Sequence, residues 1–347
     1  MFSPLRGSGS RFKTAWEGQK ERTDVKNIWS KEHKGVQVLD CTIRDGGLVN
    51  DHLFGDHFVR SVYQCCVAAG VDYMEIGYKN APESFSPEKF GPWRFCREED
   101  IRRIVGDNKT NMKLSCMIDA GKSNIFRDLL PKKESVLDLV RVAFYAHQTD
   151  EAMDMIADAH EKGYDVWANM MAVTDLTDSV IDKALEAMVR SNASTITIVD
   201  SYGSLVPEQT EYLSKKYLNA ARDTGQSVAI HAHNNQQLAF ANSIEAMKAG
   251  ATRVDVTIGG LGRAAGNCPM ELFLGFLNSP KYKLRPVYQC LEEQFLPLAQ
   301  QIEWGPYPEY IITGQCNQHP RAGIAARESE MRNKFSAFYD SVVKDER

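Results

Sequence analysis

From about residue 36 onward, short runs rich in Val, Ile and aromatic residues alternate with longer amphipathic stretches, a rhythm that predicts β-strands separated by helices. The apolar runs begin at Val36, Val71, Met112, Leu137, Tyr164, Thr195, Val228 and Arg253, which makes eight candidate strands. Several are apolar almost without interruption, as expected when both faces of a parallel sheet are covered. Between them the spacing predicts helices over 56–69, 149–162, 175–191, 207–224 and 238–249. Gly70, Gly163 and Gly250 follow three of these where a chain commonly leaves a helix in left-handed geometry. The third and eighth helices are less distinct, and 81–93, with its Pro, Phe and Ser residues, reads as a long loop. Eight strand–helix repeats over about 245 residues predict an α/β fold of the (β/α)8 TIM barrel type. The rival is an open doubly wound sheet, which usually stops at five or six strands and carries a Gly-rich phosphate turn after the first. No such turn follows the first run here.

After about residue 280 the pattern changes. Helices are expected over 286–302 and 323–339, with a loop over 304–320 between them. The chain thus divides into an N-terminal arm (1–35), a barrel (36–280) and a C-terminal helical extension (281–347) that serves as a cap or an oligomerisation element. The arm carries eight Lys/Arg against four Asp/Glu and reads as a flexible solvated segment rather than a transit peptide.

Composition narrows the class without naming a function. The 347 residues are 43% hydrophobic and 25% charged, which excludes a disordered, collagen-like or coiled-coil chain. A net charge of −5 argues against a protein whose main work is gripping nucleic acid or an anionic membrane. No apolar run reaches the roughly 18 residues of a membrane span, and a cytoplasmic location is expected. The eight cysteines are scattered without C-x-x-C spacing, the pattern of buried reduced thiols rather than a disulfide framework.

Active sites of such barrels lie at the C-terminal ends of the strands. Three strand ends carry polar groups that a packed core would not want. The first is Thr42-Ile43-Arg44-Asp45-Gly46-Gly47, the second His231-Ala232-His233-Asn234-Asn235 on strand seven, and the third the Gly-rich stretch 259–267 after strand eight. His231 and His233, two apart on a strand, point to the same side and into the barrel. Two imidazoles and one carboxylate with open positions suit a divalent ion, and Asp45 is the natural carboxylate. Asn267 converges on the same place. The bland alternative is a pair of hydrogen-bonded core histidines. Arg44 offers a planar fork for a substrate carboxylate or a developing enolate, unless it merely pairs with a surface acid. Gly46 and Gly262 would let a substrate approach the backbone. The stretch 259–267 lacks the Lys-Ser/Thr ending of a P-loop and reads as a loop closing over a small molecule. Asn169, Asp200 and Ser201 end strands five and six and either line the pocket or cap helices. Lys79 after strand two invites a Schiff-base reading, which a metal site would make redundant.

The combination T-I-R-D-G, H-A-H-N-N and G-G-L-G-R-A-A-G-N-C-P-M-E resembles the DRE-TIM metallolyases over residues 36–276, and its last motif is most similar to the 4-hydroxy-2-oxovalerate aldolase branch. The resemblance implies Asp45, His231 and His233 as ligands of Mn2+ or Mg2+, with Zn2+ or Co2+ as alternatives. It also implies Asn267 as a closer or water-mediated ligand and Arg44 as the group that holds the enolate. The implied reaction makes or cleaves a carbon–carbon bond of a 4-hydroxy-2-oxo acid through a pyruvate-type enolate, with a small 2-oxo acid and an aldehyde as partners. It further implies a homo-oligomer with a possible dehydrogenase partner. Where the Claisen-type synthases of this superfamily carry Glu-Gln, the chain has Gly47-Leu48, which lowers the acyl-CoA carboligase alternative. Where the aldolases carry a catalytic His three residues past the Asp, the chain has Leu48. His52, or His57 on the first helix, is the replacement base to be tested, and a non-catalytic binding protein is the other outcome of that departure.

Overall fold

A computed structural model describes residues 32–344; the expected arm falls almost wholly outside them. Eight parallel strands close into a barrel in sequential order: β1 (Gln37–Asp40), β2 (Tyr73–Tyr78), β3 (Lys113–Asp119), β4 (Leu139–Phe144), β5 (Asp165–Met170), β6 (Thr195–Asp200), β7 (Ser227–Ala232) and β8 (Arg253–Val256). Closure runs through β1 and β8, with Gln37 opposite Arg253 and Asp40 opposite Val256. Every residue of β2, β4 and β6 is buried, which explains their unbroken apolar runs.

The helix after β1 spans Asp56–Ala69 as its periodicity predicts, and Gly70 ends it at φ +78°. Glu98–Val105 follows β2 after the long loop, the indistinct third helix after β3 is only the single turn Ile125–Asp128, and Met270–Leu277 supplies the eighth. Two differences bear on the site. Thr42–Gly46 forms a helical turn directly after β1, so Arg44 and Asp45 are fixed on a rigid turn rather than a free loop. The stretch expected as a loop over 304–320 contains a helix, Pro308–Gln315, started by a proline at its first position. The single helix expected over 323–339 is two, Arg321–Arg327 and Phe335–Lys344, and Asn333 at φ +65° lies in the break.

The segment after residue 280 packs into the outer ring beside β1. Lys283 N–H donates to Ala69 O (2.9 Å), and the Tyr282 hydroxyl reaches Val36 O (3.0 Å) and Asp72 Oδ2 (2.7 Å). Beyond it, buried Arg327 pairs with Glu309 (3.0 Å) and Glu303 (2.7 Å) and lies on the Tyr307 ring. All eight cysteines are unbridged and seven are buried. No helix among the described residues is long and apolar enough to cross a membrane.

Inside the barrel, alternate strands send side chains to the axis in layers, normally of bulky apolar groups. Leu39, Tyr73, Leu139 and Trp167 follow that rule. The next layer does not. Glu75 from β2, Arg141 from β4 and Asp255 from β8 meet in the centre with essentially no solvent exposure.

Candidate active site

The turn after β1, the end of β7 and the loop after β8 bring the expected groups together. Asp45 Oδ2 lies 3.6 Å from His231 Nε2 and 3.8 Å from His233 Nε2. The other carboxylate oxygen, Oδ1, accepts from Asn267 Nδ2 (3.0 Å) and Arg263 N–H (3.1 Å). The loop 259–267 is held to β7 by Asn234 N–H donating to Gly266 O (2.8 Å). Burial alone would raise the Asp45 pKa. Arg44 and His231 outweigh it and hold the carboxyl well below its usual range. Burial, with Arg263, His231 and Arg44 nearby, pushes His233 well below the ordinary imidazole value, so it is neutral with a lone pair free to coordinate.

Behind these groups runs a closed circuit. Arg44 donates from Nη1 to Asp45 and from Nε to Glu75 Oε2 (2.6 Å). Glu75 also accepts from Arg141 (3.0 Å), and Arg141 donates to Asp255. Asp255 Oδ2 lies 3.0 Å from His231 Nδ1, which leaves Nε2 facing Asp45. A carboxylate on the far nitrogen of a histidine is the usual device for orienting a metal-binding imidazole. Around Asp45 three polar atoms, His231 Nε2, Asn267 Oδ1 and Arg44 Nη2, are buried without a hydrogen-bond partner, as are Glu75 Oε1, Arg141 Nε and Asp255 Oδ1 deeper in the circuit. The three around Asp45 face where a ligand would sit. Two are acceptors in the tautomer that Asp255 selects, suited to a cation; the third is a donor suited to an oxyanion. Cys41, His231 and Asp255 form a second cluster of ligand atoms, but the Arg141 guanidinium already occupies it, and burial raises the Cys41 thiol far above its usual pKa.

The cleft above the triad is small, with a cavity volume of about 60 Å3. One side is formed by Arg44, Asp45, His231 and His233, the other by Leu48, Met117, Ala143, Met171 and Val199. Asn169 lines it, with Oδ1 buried and unpartnered, and Ser201 lines it while its hydroxyl accepts from Ala172 N–H (2.8 Å).

Other expected residues serve differently. A Cβ on Gly46 would sit 2.7 Å from Leu261 Cγ, and one on Gly262 would sit 2.0 Å from Asn267 Nδ2 and 2.7 Å from Asp45 Oδ1. Neither glycine lines the cleft, so they admit protein rather than substrate and let the turn and the loop close on each other. His52 does not line the cleft either. It is buried against Gly47 at φ +61°, receives Arg94 Nη1 at 3.1 Å on Nε2, and meets the Tyr78 ring edge-on. Burial together with Arg94 and Arg44 keeps it neutral. The base expected from His52 therefore has Tyr78, which lines the cleft, as its link to it. Asp200 accepts from Ser204 and Leu205 N–H groups and caps a loop. Lys79 donates to Cys96 O (2.8 Å), away from the triad. His57 lies on the exposed face of its helix.

Sequence reasoning missed Glu75, Arg141 and Asp255, although Glu75 and Arg141 are each a lone charge within an apolar strand, which is itself a signal; Asp255 shares β8 with Arg253. It also missed Arg263 and His319 at the cleft rim, for which no local pattern exists.

A parallel barrel whose strand ends gather one carboxylate, two imidazoles and a free guanidinium donor defines a candidate metal-assisted lyase. The HMGL-like family model matches residues 135–287, a little under half of the chain. It is 29% identical over 251 residues to the oxaloacetate decarboxylase of Mycobacterium tuberculosis, covering 72% of each chain. It is 28% identical over 279 residues to the 4-hydroxy-2-oxovalerate aldolase of Bacillus cereus, covering 78% of this chain and 80% of that one. The crystal structure of the N-terminal domain of a putative aldolase from Bacteroides vulgatus superposes with a TM-score of 0.75 at 27% identity, over 87% of this chain and all of that one.

Proposed function

We propose that the chain is a divalent-metal-dependent carbon–carbon lyase that cleaves or forms a 4-hydroxy-2-oxo acid through a pyruvate-type enolate. The observation that carries this reading is a pair of orphaned buried atoms on cleft-lining residues, His231 Nε2 and Arg44 Nη2, beside the Asp45 carboxylate, with a third, Asn267 Oδ1, on the residue that donates to that carboxylate. The donor set fits a hard or borderline divalent cation: Asp45, His231 and His233 would hold it, with Asn267 Oδ1 adjacent. Such an ion supplies Lewis acidity to the 2-oxo carbonyl.

The protein's own groups do the rest. Asp255 fixes the His231 tautomer. Arg44, held by Glu75 and Asp45, aims its spare Nη2 donor into the cleft, where it stabilises negative charge developing on the carbonyl oxygen as the C3–C4 bond breaks. Asn169 Oδ1 accepts from the 4-hydroxyl and orients it. The apolar wall of Met117, Ala143, Met171 and Val199 receives the carbon chain of the departing aldehyde and excludes water. Cleavage moves one proton net, from the 4-hydroxyl to C3 of the enolate. Tyr78, whose hydroxyl burial pushes up to about 12, is protonated before and after. It is the cleft-lining group that relays the proton, taking the one from the 4-hydroxyl as it gives its own to C3. His52 acts through it as a positioning residue.

Leu48 favours a second reading, decarboxylation of a 2-oxo acid such as oxaloacetate. Loss of CO2 generates the same enolate but needs no base on a hydroxyl, and Leu48 makes the cleft apolar at that point. The deciding measurement is pyruvate release by Mn2+-loaded protein from a panel of 4-hydroxy-2-oxo acids and from oxaloacetate. Turnover is expected with members of the panel, and Asp45→Asn is expected to lose both the metal and the turnover. Protein that binds no divalent metal, or whose turnover survives EDTA, overturns the proposal.

A further inference from the structure

The rim of the cleft holds two donors with nothing between them. Arg263 donates Nη2 to Ser201 O (2.8 Å), and its Nε is buried without a partner. Among the described residues no carboxylate lies within ion-pair distance of its guanidinium, unlike buried Arg44, Arg141 and Arg327. Its Nη1 faces His319 Nε2 at 3.4 Å. His319 Nδ1 accepts from Arg321 N–H (3.1 Å), so the neutral ring must carry its proton on Nε2. The ring is neutral because burial, with Arg263, Arg321 and Lys122 around it, pushes it down to about 3. Two nitrogens that both carry protons form no hydrogen bond with each other; they form a fork for one oxygen-bearing anion. The Tyr202 ring, edge-on at 5.6 Å, holds His319 in place.

Arg263 and His319 line the same cleft as Asp45 and His233. The metal half already provides for the 2-oxo acid end of the substrate. A second set of anion donors therefore has a second anion to meet.

We infer that the substrate is a 2-oxo acid bearing a second oxyanion, a carboxylate or a phosphate, at the end remote from its 2-oxo group, and that Arg263 and His319 bind it. This rests on the proposed metal–2-oxo acid chemistry and names the substrate class for it. A fork of this kind is met by an oxyanion in charge-assisted hydrogen bonds. The uncharged aldehyde portion of a monoanionic 4-hydroxy-2-oxo acid would leave it empty.

Calorimetric titration of Mn2+-loaded protein with 2-oxoglutarate and 2-oxovalerate separates the ends, because the two differ only in a distal carboxylate against a methyl group. A third arm, 2-oxo-4-phosphonobutanoate, tells a phosphate-type from a carboxylate-type preference. At least one of the dianionic compounds is expected to bind roughly tenfold or more tightly than 2-oxovalerate. In Arg263→Leu that ratio is expected to fall to about one while 2-oxovalerate affinity persists. Should Arg263→Leu not fold, Arg263→Lys, which keeps the charge but loses the fork, and His319→Leu are each expected to reduce the same ratio. Equal binding of all three compounds by the unmodified protein, no binding of any, or an equal loss for charged and uncharged tails in the variants overturns the inference. The metal–2-oxo acid reading fails separately, when 2-oxovalerate binds as well after EDTA as before.

Discussion

The two sides of the cleft are built on opposite principles. On the side of β1 and β7, Arg44, Asp45 and His231 belong to a circuit in which each charged group has a partner, through Glu75, Arg141 and Asp255. On the side of β3 to β6, Met117, Ala143, Met171 and Val199 are held by volume alone. A circuit of directional bonds has one arrangement, whereas a wall rich in methionine can repack around different shapes. The chemistry is thus fixed by one side and the identity of the carbon chain by the other, which is how one barrel can keep a reaction and change a substrate.

The contrast can be broken most severely on the charged side. Arg44→Lys keeps the charge but loses the spare Nη2 donor, and kcat for pyruvate release is expected to fall roughly 100- to 1,000-fold. Asp255→Asn frees the His231 ring behind the metal position, and a chelator-competition titration should record about 10- to 100-fold weaker metal binding. On the apolar side, Met171→Ala enlarges the wall by a few carbon volumes. It is expected to shift kcat/KM between substrates one methylene apart by about 10-fold, with metal affinity unchanged. An equal effect on metal affinity would erase the distinction between the two sides.

The smallest effect concerns acid. His52 is kept neutral in the fold by burial, Arg94 and Arg44, so its folded pKa lies below the ordinary value of 6.5. Below pH 6.5 the unfolded chain takes up a proton there that the folded chain refuses. The stability contribution is present above that pH and is lost as pH falls through it, by at most about 1.4 kcal/mol per pH unit. His52→Asn, followed by denaturant unfolding between pH 7 and 5, should show a shallower decline.

Much of this was legible in the chain. The eight strands begin within two residues of their apolar runs, and the H-x-H pair falls on β7 as the spacing requires. The charged layer was legible in principle. Glu75 and Arg141 each interrupt a strand that is otherwise apolar, and a lone charge inside a doubly covered strand must find a partner across the barrel. Arg263 and His319 could not be paired beforehand: 56 residues separate them, and no periodicity links a loop after β8 to a segment past the barrel. The helix Pro308–Gln315 was hidden by the aromatic and proline residues before it, though Pro308 followed by Glu309 is a start signal. His52 was the natural base by sequence distance alone, and only the fold shows Arg94 and Gly47 closing around it.

The buried circuit also sets an order of events. Asp45, Glu75 and Asp255 are three anions facing two cations, Arg44 and Arg141, so these five groups carry one negative charge in excess. A free 2-oxo acid arriving first would meet repulsion in a medium that screens it poorly. A divalent cation inverts the excess to one positive charge, and a singly charged acid then cancels it. On the proposed chemistry this charge balance favours ion first and acid second, with any further anion left to be met outside the circuit, where no carboxylate among the described residues pairs with Arg263.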